Sequence, residues 1–217
     1  MKNLLPGLRK FSESVFNTRK PLFESLANGQ TPHTLLITCS DSRIDPNLIT
    51  QTEPGELFVV RNAGNIIPPF GSSQGGEEAA IEFAIDGLKV SNIVICGHSH
   101  CGAMAALMNR VNIDALPSMK KWLGHAQATK RIVESSSGGK ETQLIKVIEE
   151  NILVQSHNLK THPAVSNALR QGRIRIFGWV YNFENGMVNL YDKKQNRFIP
   201  SSEVKIELFE DSSQFAL

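Results

Sequence analysis

The sequence predicts an α/β protein: a mainly parallel β-sheet flanked by helices, with a helical arm before the sheet and a β-hairpin after it. Two observations carry this. Short apolar runs, Leu35-Leu36-Ile37-Thr38 and Asn92-Ile93-Val94-Ile95, read as buried strands separated by segments of helical period. Each run also leads into soft-metal ligands, Cys39 after the first and His98 with Cys101 after the second. Parallel strands of an open α/β sheet present their carboxyl ends on one edge, where ligands bind, so these distant residues can converge.

The chain has 217 residues, 41% hydrophobic and 20% charged, which suits one domain over 1–217 with a substantial core. A formal net charge of only +2 argues against nucleic acid or an anionic membrane as partner. No apolar run reaches membrane-spanning length, and Pro6 and charges interrupt the opening stretch before it could serve as a secretory segment. A soluble, cytoplasmic protein is expected. Three cysteines are too few, and odd in number, for a disulfide scaffold.

In order, residues 1–28 place Leu4, Leu5, Leu8, Phe11, Val15, Phe16, Leu22, Phe23 and Leu26 at the spacing of one or two amphipathic helices, with Pro21 near the start of the second. This arm packs either on its own domain or on a partner subunit. Asn28 to Pro32 ends it and leads into the first strand. A short helix follows Pro46, and a strand runs from Glu56 to Arg61 after the Pro54-Gly55 turn. An irregular connection then leads to a helix opened by Gly75-Gly76-Glu77-Glu78 and running through Leu88. After the strand Asn92 to Cys96, a short helix covers Gly102 to Met108. Helices are expected over 115–135, 141–160 and from Pro163 to near Gly172, with a loop at Ser135 to Gly139. Arg173 to Tyr181, a Glu184-Asn185-Gly186 turn and Met187 to Tyr191 read as the hairpin.

The candidate metal ligands differ from ordinary buried cysteines in their setting. Cys96 lies inside an apolar run and reads as a small core hydrophobe, whereas Cys39 and Cys101 lie beyond strands among loop-forming residues. His98 precedes Cys101 by three positions, so one turn of chain can present both to one ion. Two cysteines and a histidine leave a fourth position free, as catalytic zinc sites do. His100 points elsewhere at this spacing, and His33, His125, His157 and His162 read as surface or capping residues. Asp41 and Arg43 admit three readings: a surface ion pair, an aspartate that closes the coordination sphere, or an aspartate held off the metal by a bidentate arginine.

The CSDSR, EPGELFVVRNAGN and CGHSHCGAM stretches together resemble the β-class carbonic anhydrases, from about Lys20 through GWVYNFENG, and in particular the bacterial and plant-like branch that includes cyanate-operon enzymes. The resemblance implies one zinc per chain on Cys39, His98 and Cys101, with Asp41 as a further ligand only in a closed state. It implies an Asp41–Arg43 catalytic pair, substrate orientation by Gln30, a backbone donor at Gly102, and pocket walls at Phe58, Ala63 and Phe83. It also implies a homodimer or higher homo-oligomer, with the arm 1–28 packed on a partner. The allosteric branch carries a tryptophan where this chain has Leu36, although Arg61 and Tyr181 remain. The expectation is therefore an open zinc with Asp41 paired to Arg43, and no second bicarbonate site.

The implied activity is reversible hydration of CO2 to bicarbonate and a proton by zinc-bound hydroxide. Two thiolates make the bound water less acidic than three histidines would, so activity should rise toward alkaline pH. The alternatives are a hydrolase of another small substrate on the same scaffold, such as carbon disulfide, or a non-catalytic zinc scaffold.

Overall fold

A computed structural model describes residues 4–73, 75–136, 143–205 and 213–217. The chain divides into two compact units, Met1–Thr31 and Pro32–Leu217.

The first unit is the helical arm: α1 (Leu4–Lys10), a π-turn at Phe11–Val15, α2 (Phe16–Thr18) and α3 (Lys20–Leu26). Pro21 sits in the first turn of α3, where its missing N–H costs nothing. Phe16 and Phe23 stack at 5.2 Å, and Phe11 meets Phe23 edge-on at 5.7 Å, so the aromatic positions form the unit's own apolar cluster.

The second unit is built on six strands in the order β2-β1-β3-β4-β5-β6. They are β1 (Thr34–Cys39), β2 (Leu57–Asn62), β3 (Asn92–His98), β4 (Arg175–Tyr181), β5 (Val188–Asp192) and β6 (Arg197–Pro200). The first four are parallel, and β5 and β6 add antiparallel. Side chains alternate across the sheet. Leu35, Ile37, Cys39, Ile93 and Ile95 enter the larger core, while Leu36, Val94 and Cys96 enter a smaller cluster on the other face. The cysteine of the apolar run is thus turned away from the other two, and burial pushes its thiol up to about 12.

The larger core is closed by α4 (Pro46–Thr50), α5 (Gly76–Glu82) continuing as a π-turn Phe83–Gly87, α6 (Gly102–Leu107), α7 (Pro117–Leu123), α8 (Gln127–Ser136), α9 (Leu144–Lys160) and α10 (Pro163–Arg170). Asp45 caps α4, accepting the Leu48 N–H at 3.2 Å, and Pro46 takes its first turn. Close approach of α9 to the sheet requires a glycine in β3. A Cβ on Gly97 would lie 2.8 Å from Ile148 Cγ2 and 3.2 Å from Ile152 Cδ1. The Gly97→Ala protein is expected to lose about 1–3 kcal/mol of stability through overpacking, read as a lower urea midpoint.

Three expectations are corrected. The helix expected over 115–135 is two helices, because Gly124–Ala126 tightens into a 3-10 turn that keeps Leu123 and Ala126 in the core. The loop expected from Ser135 begins later, since Ser135 and Ser136 close α8; the rest of that loop, and the first two residues of the helix expected over 141–160, lie outside the described residues. The terminal hairpin is a three-stranded meander. Asp192 accepts the N–H groups of Lys194 and Gln195, Asn196 takes a left-handed conformation, and the turn delivers β6.

Candidate metal centre

β1 lies between β2 and β3, so the chain leaves β1 toward one side of the sheet and β3 toward the other. The crevice at such a switch point is where an open α/β sheet binds ligands. Cys39 is the last residue of β1 and His98 the last of β3, which continues two residues beyond the expected end at Cys96. Between His98 and Cys101 the chain turns back through His100, at φ 54°, and places Cys101 just before α6. The three buried ligand atoms lie within 4.8 Å of one another.

These residues fit a metal ion. His98 Nδ1 bonds the Ser99 carbonyl at 2.8 Å, and a carbonyl only accepts, so Nδ1 carries the proton and Nε2 presents its lone pair. Nε2 is buried without a protein partner. The Cys39 thiol is pulled well down, first by the neighbouring Cys101 thiol and then by the Gly64 and Asp41 N–H groups, against the cost of burial. The contact with Cys39, together with burial, pushes Cys101 up. A cation bound by the two sulfurs would release the protons they hold.

Asp41 faces the cluster but is held by arginine. Arg43 grips it bidentately, Nε to Oδ1 at 2.9 Å and Nη2 to Oδ2 at 2.8 Å, and its backbone N–H adds a bond of 3.0 Å to Oδ1. That grip holds the Asp41 carboxyl well below the usual range. Oδ2 lies 4.0 Å from His98 Nε2. Arg43 in turn lies 4.4 Å over the ring of Phe183, which packs 5.1 Å from the His98 ring.

Several contacts of the site have no local signal in the sequence, where Arg61 reads only as a position kept from the allosteric branch. Arg61 donates to the Cys39 carbonyl at 3.1 Å and to the Asp41 carbonyl at 2.8 Å, tying the ligand loop to β2. Ser99 donates to Glu184 at 2.8 Å and accepts the Phe183 N–H at 2.9 Å, and Glu184 also meets His100 at 2.5 Å. Glu184 reads only as part of a turn, and Phe183 only as the connection that leads into it. Nothing local links them to residues some eighty positions earlier.

Of the other candidates, Phe58 and Phe83 meet each other with centroids 5.9 Å apart, and Phe83 is half exposed. Ala63 follows β2 and its carbonyl accepts the Trp122 indole N–H at 2.8 Å. Gly102 is the exposed first residue of α6. Gln30 belongs to the N-terminal unit and is exposed there. His33 and His157 are exposed, and His125 packs on Trp122. His162 is corrected: it is buried, and its ring bonds the Pro68 carbonyl at 3.0 Å rather than capping α10.

A protein-family model described as carbonic anhydrase matches residues 34–188. A carbonic anhydrase of Synechococcus elongatus is 53% identical over 192 residues, covering 87% of this chain and 70% of the relative. The solved β-carbonic anhydrase CcaA superposes with a TM-score of 0.88 at 46% identity, over 92% of this chain and 98% of that one. A structure described as one of two tetrameric β-carbonic anhydrases from Sordaria macrospora superposes at 0.78 with 26% identity, over 87% and 95% of the two chains.

Proposed function

This chain belongs to the carbonic anhydrase family, and on that premise we propose that it hydrates CO2 reversibly with one zinc ion per chain held by Cys39, His98 and Cys101. The observation that carries the metal reading is the buried Nε2 of His98, without a hydrogen-bond partner, beside two buried thiols, the three ligand atoms lying within 4.8 Å of one another. Thiolate and imidazole donors suit zinc, and three protein donors leave one position for water or substrate. Zinc bound there would lower the pKa of water it carries and supply a nucleophile near neutral pH.

The chain's own residues do the rest. Asp41, ionised and steered by Arg43, accepts a hydrogen bond from the attacking water and orients it toward CO2. Phe58, Ala63 and Phe83 supply apolar walls for a non-polar substrate, and the Gly102 N–H a donor for the bicarbonate formed. Gln30 is assigned to a substrate oxygen by the family motif alone. A homodimer or larger homo-oligomer is the proposed working form, supported by the tetrameric Sordaria relatives. A cytoplasmic location is part of the same reading; among the described residues no helix is long and apolar enough to cross a membrane.

Stopped-flow CO2 hydration on zinc-quantified protein tests the reading. Turnover is expected to rise from about pH 6.5 toward about pH 9, to disappear on chelation and to return with zinc. Zinc-loaded protein inert toward CO2 across that range would move the assignment to another small substrate on the same scaffold.

A further inference from the structure

Helix α9 carries three amides, Asn151, Gln155 and Asn158, spaced four and three apart and so on one stripe. Asn151 and Gln155 are fully buried, so their amide groups must find hydrogen-bond partners inside the protein. Their partners lie in the irregular segment that follows β2. Gln155 Oε1 accepts the Ile67 N–H at 2.8 Å, and Asn158 Nδ2 donates to the Ile67 carbonyl at 2.9 Å. Asn151 reaches a separate point, donating from Nδ2 to the Gly64 carbonyl at 3.0 Å. Its Oδ1 accepts from Gln155 at 2.9 Å and Thr129 at 3.2 Å.

Gly64 is where this stripe meets the metal centre. Its N–H donates to Cys39 Sγ at 3.3 Å. Its φ is +83°, and a Cβ there would come within 3.0 Å of Ala103 and Met104, just beyond Cys101. Gly64 is thus wedged between the segments bearing the two sulfurs and held from behind by Asn151. Gln155 and Asn158 anchor the segment at Ile67, and the bond from Asn151 both satisfies the buried Gly64 carbonyl and fixes the peptide next to the sulfur. An amide donating to a ligand sulfur draws charge from it, which matters where two thiolates would otherwise leave a bound water weakly acidic.

We propose that Asn151 is a positioning residue for the metal centre, aiming the Gly64 N–H at Cys39 Sγ and thereby limiting the charge this sulfur gives to the metal. The proposal rests on the reading of Cys39 as a metal ligand. Cobalt substituted into the full chain tests both separately, because a cobalt–thiolate bond absorbs by charge transfer. The unaltered protein is expected to show those bands. Asn151→Asp keeps the acceptor for Thr129 and Gln155 but loses the donor, and Asn151→Leu loses both. Each is expected to move the bands to longer wavelength and, in the zinc form, to lower kcat about tenfold with little change in KM. Gly64→Ala should move the bands the same way, whereas Asn158→Leu, which removes the bond to the Ile67 carbonyl and not the one to Gly64, should leave them in place.

Unmoved bands in folded Asn151 variants would overturn the proposal, and so would an equal shift in Asn158→Leu. Failure of both Asn151 variants to fold would also overturn it, by making Asn151 a residue of the fold rather than of the sulfur. Absence of the bands in the unaltered protein would instead overturn the ligand assignment.

Discussion

The Cys39→Ser and His98→Ala proteins are expected to lose both their metal and their CO2 hydration, the largest effect of any single change. Each ligand is buried at a strand end. Serine presents a hydroxyl that does not ionise near neutral pH, so the cation would lose one of its two negative donors. Loss of an outer-shell partner alone can cost about 100-fold in metal affinity or activity, and loss of a ligand should cost at least that. Cys96→Ser is the matched control. Its thiol lies in the cluster on the other face of the sheet, so metal and turnover should remain while stability falls modestly. Metal analysis beside stopped-flow rates checks all three. Full zinc and full activity in Cys39→Ser would remove Cys39 from the ligand set.

Asp41→Ala should keep its metal and lose rate, by about 10²–10⁴-fold in kcat, the usual worth of a positioned proton acceptor. Asp41→Asn should fall nearly as far, since an amide can donate where the carboxylate only accepts. The pH dependence has a definite sign. Arg43 lowers the folded-state pKa of Asp41 below its ordinary 3.8. Any stability from the pair is therefore fully present above that ordinary value and lost only as pH falls through the lower folded one. Arg43 is about half exposed, so solvent screening keeps that stability small. Asp41 thus stays ionised throughout the range in which activity is expected to rise, and any inflection there belongs to another group. Asp41→Ala should lower the plateau without removing the inflection. Rate–pH curves of both proteins at equal metal content decide this, and a lost inflection would assign the titration to Asp41.

Much of this was legible because it is local. The runs at Leu35 and Ile93 had the apolar continuity of buried strands, and each was followed by ligand-bearing loop residues, so the placement of Cys39 and His98 at adjacent strand ends could be anticipated. The turn of α4 announced itself through Asp45 and Pro46. β6 did not, because a four-residue strand with one buried side chain, Ile199, is too short to show a period. The break at Gly124 was hidden by apolar residues that keep a helical spacing across it.

The donors available to a metal and the strands that bring them to one edge can be read along the chain, because side-chain chemistry and period are properties of neighbouring residues. The way those donors are steered cannot. The ring of Phe183 beneath Arg43, the reach of Arg61 and the bond from Asn151 to Gly64 depend on packing between distant segments. A hydrogen bond across 87 residues leaves no local pattern, since its partners become neighbours only when α9 closes on the sheet.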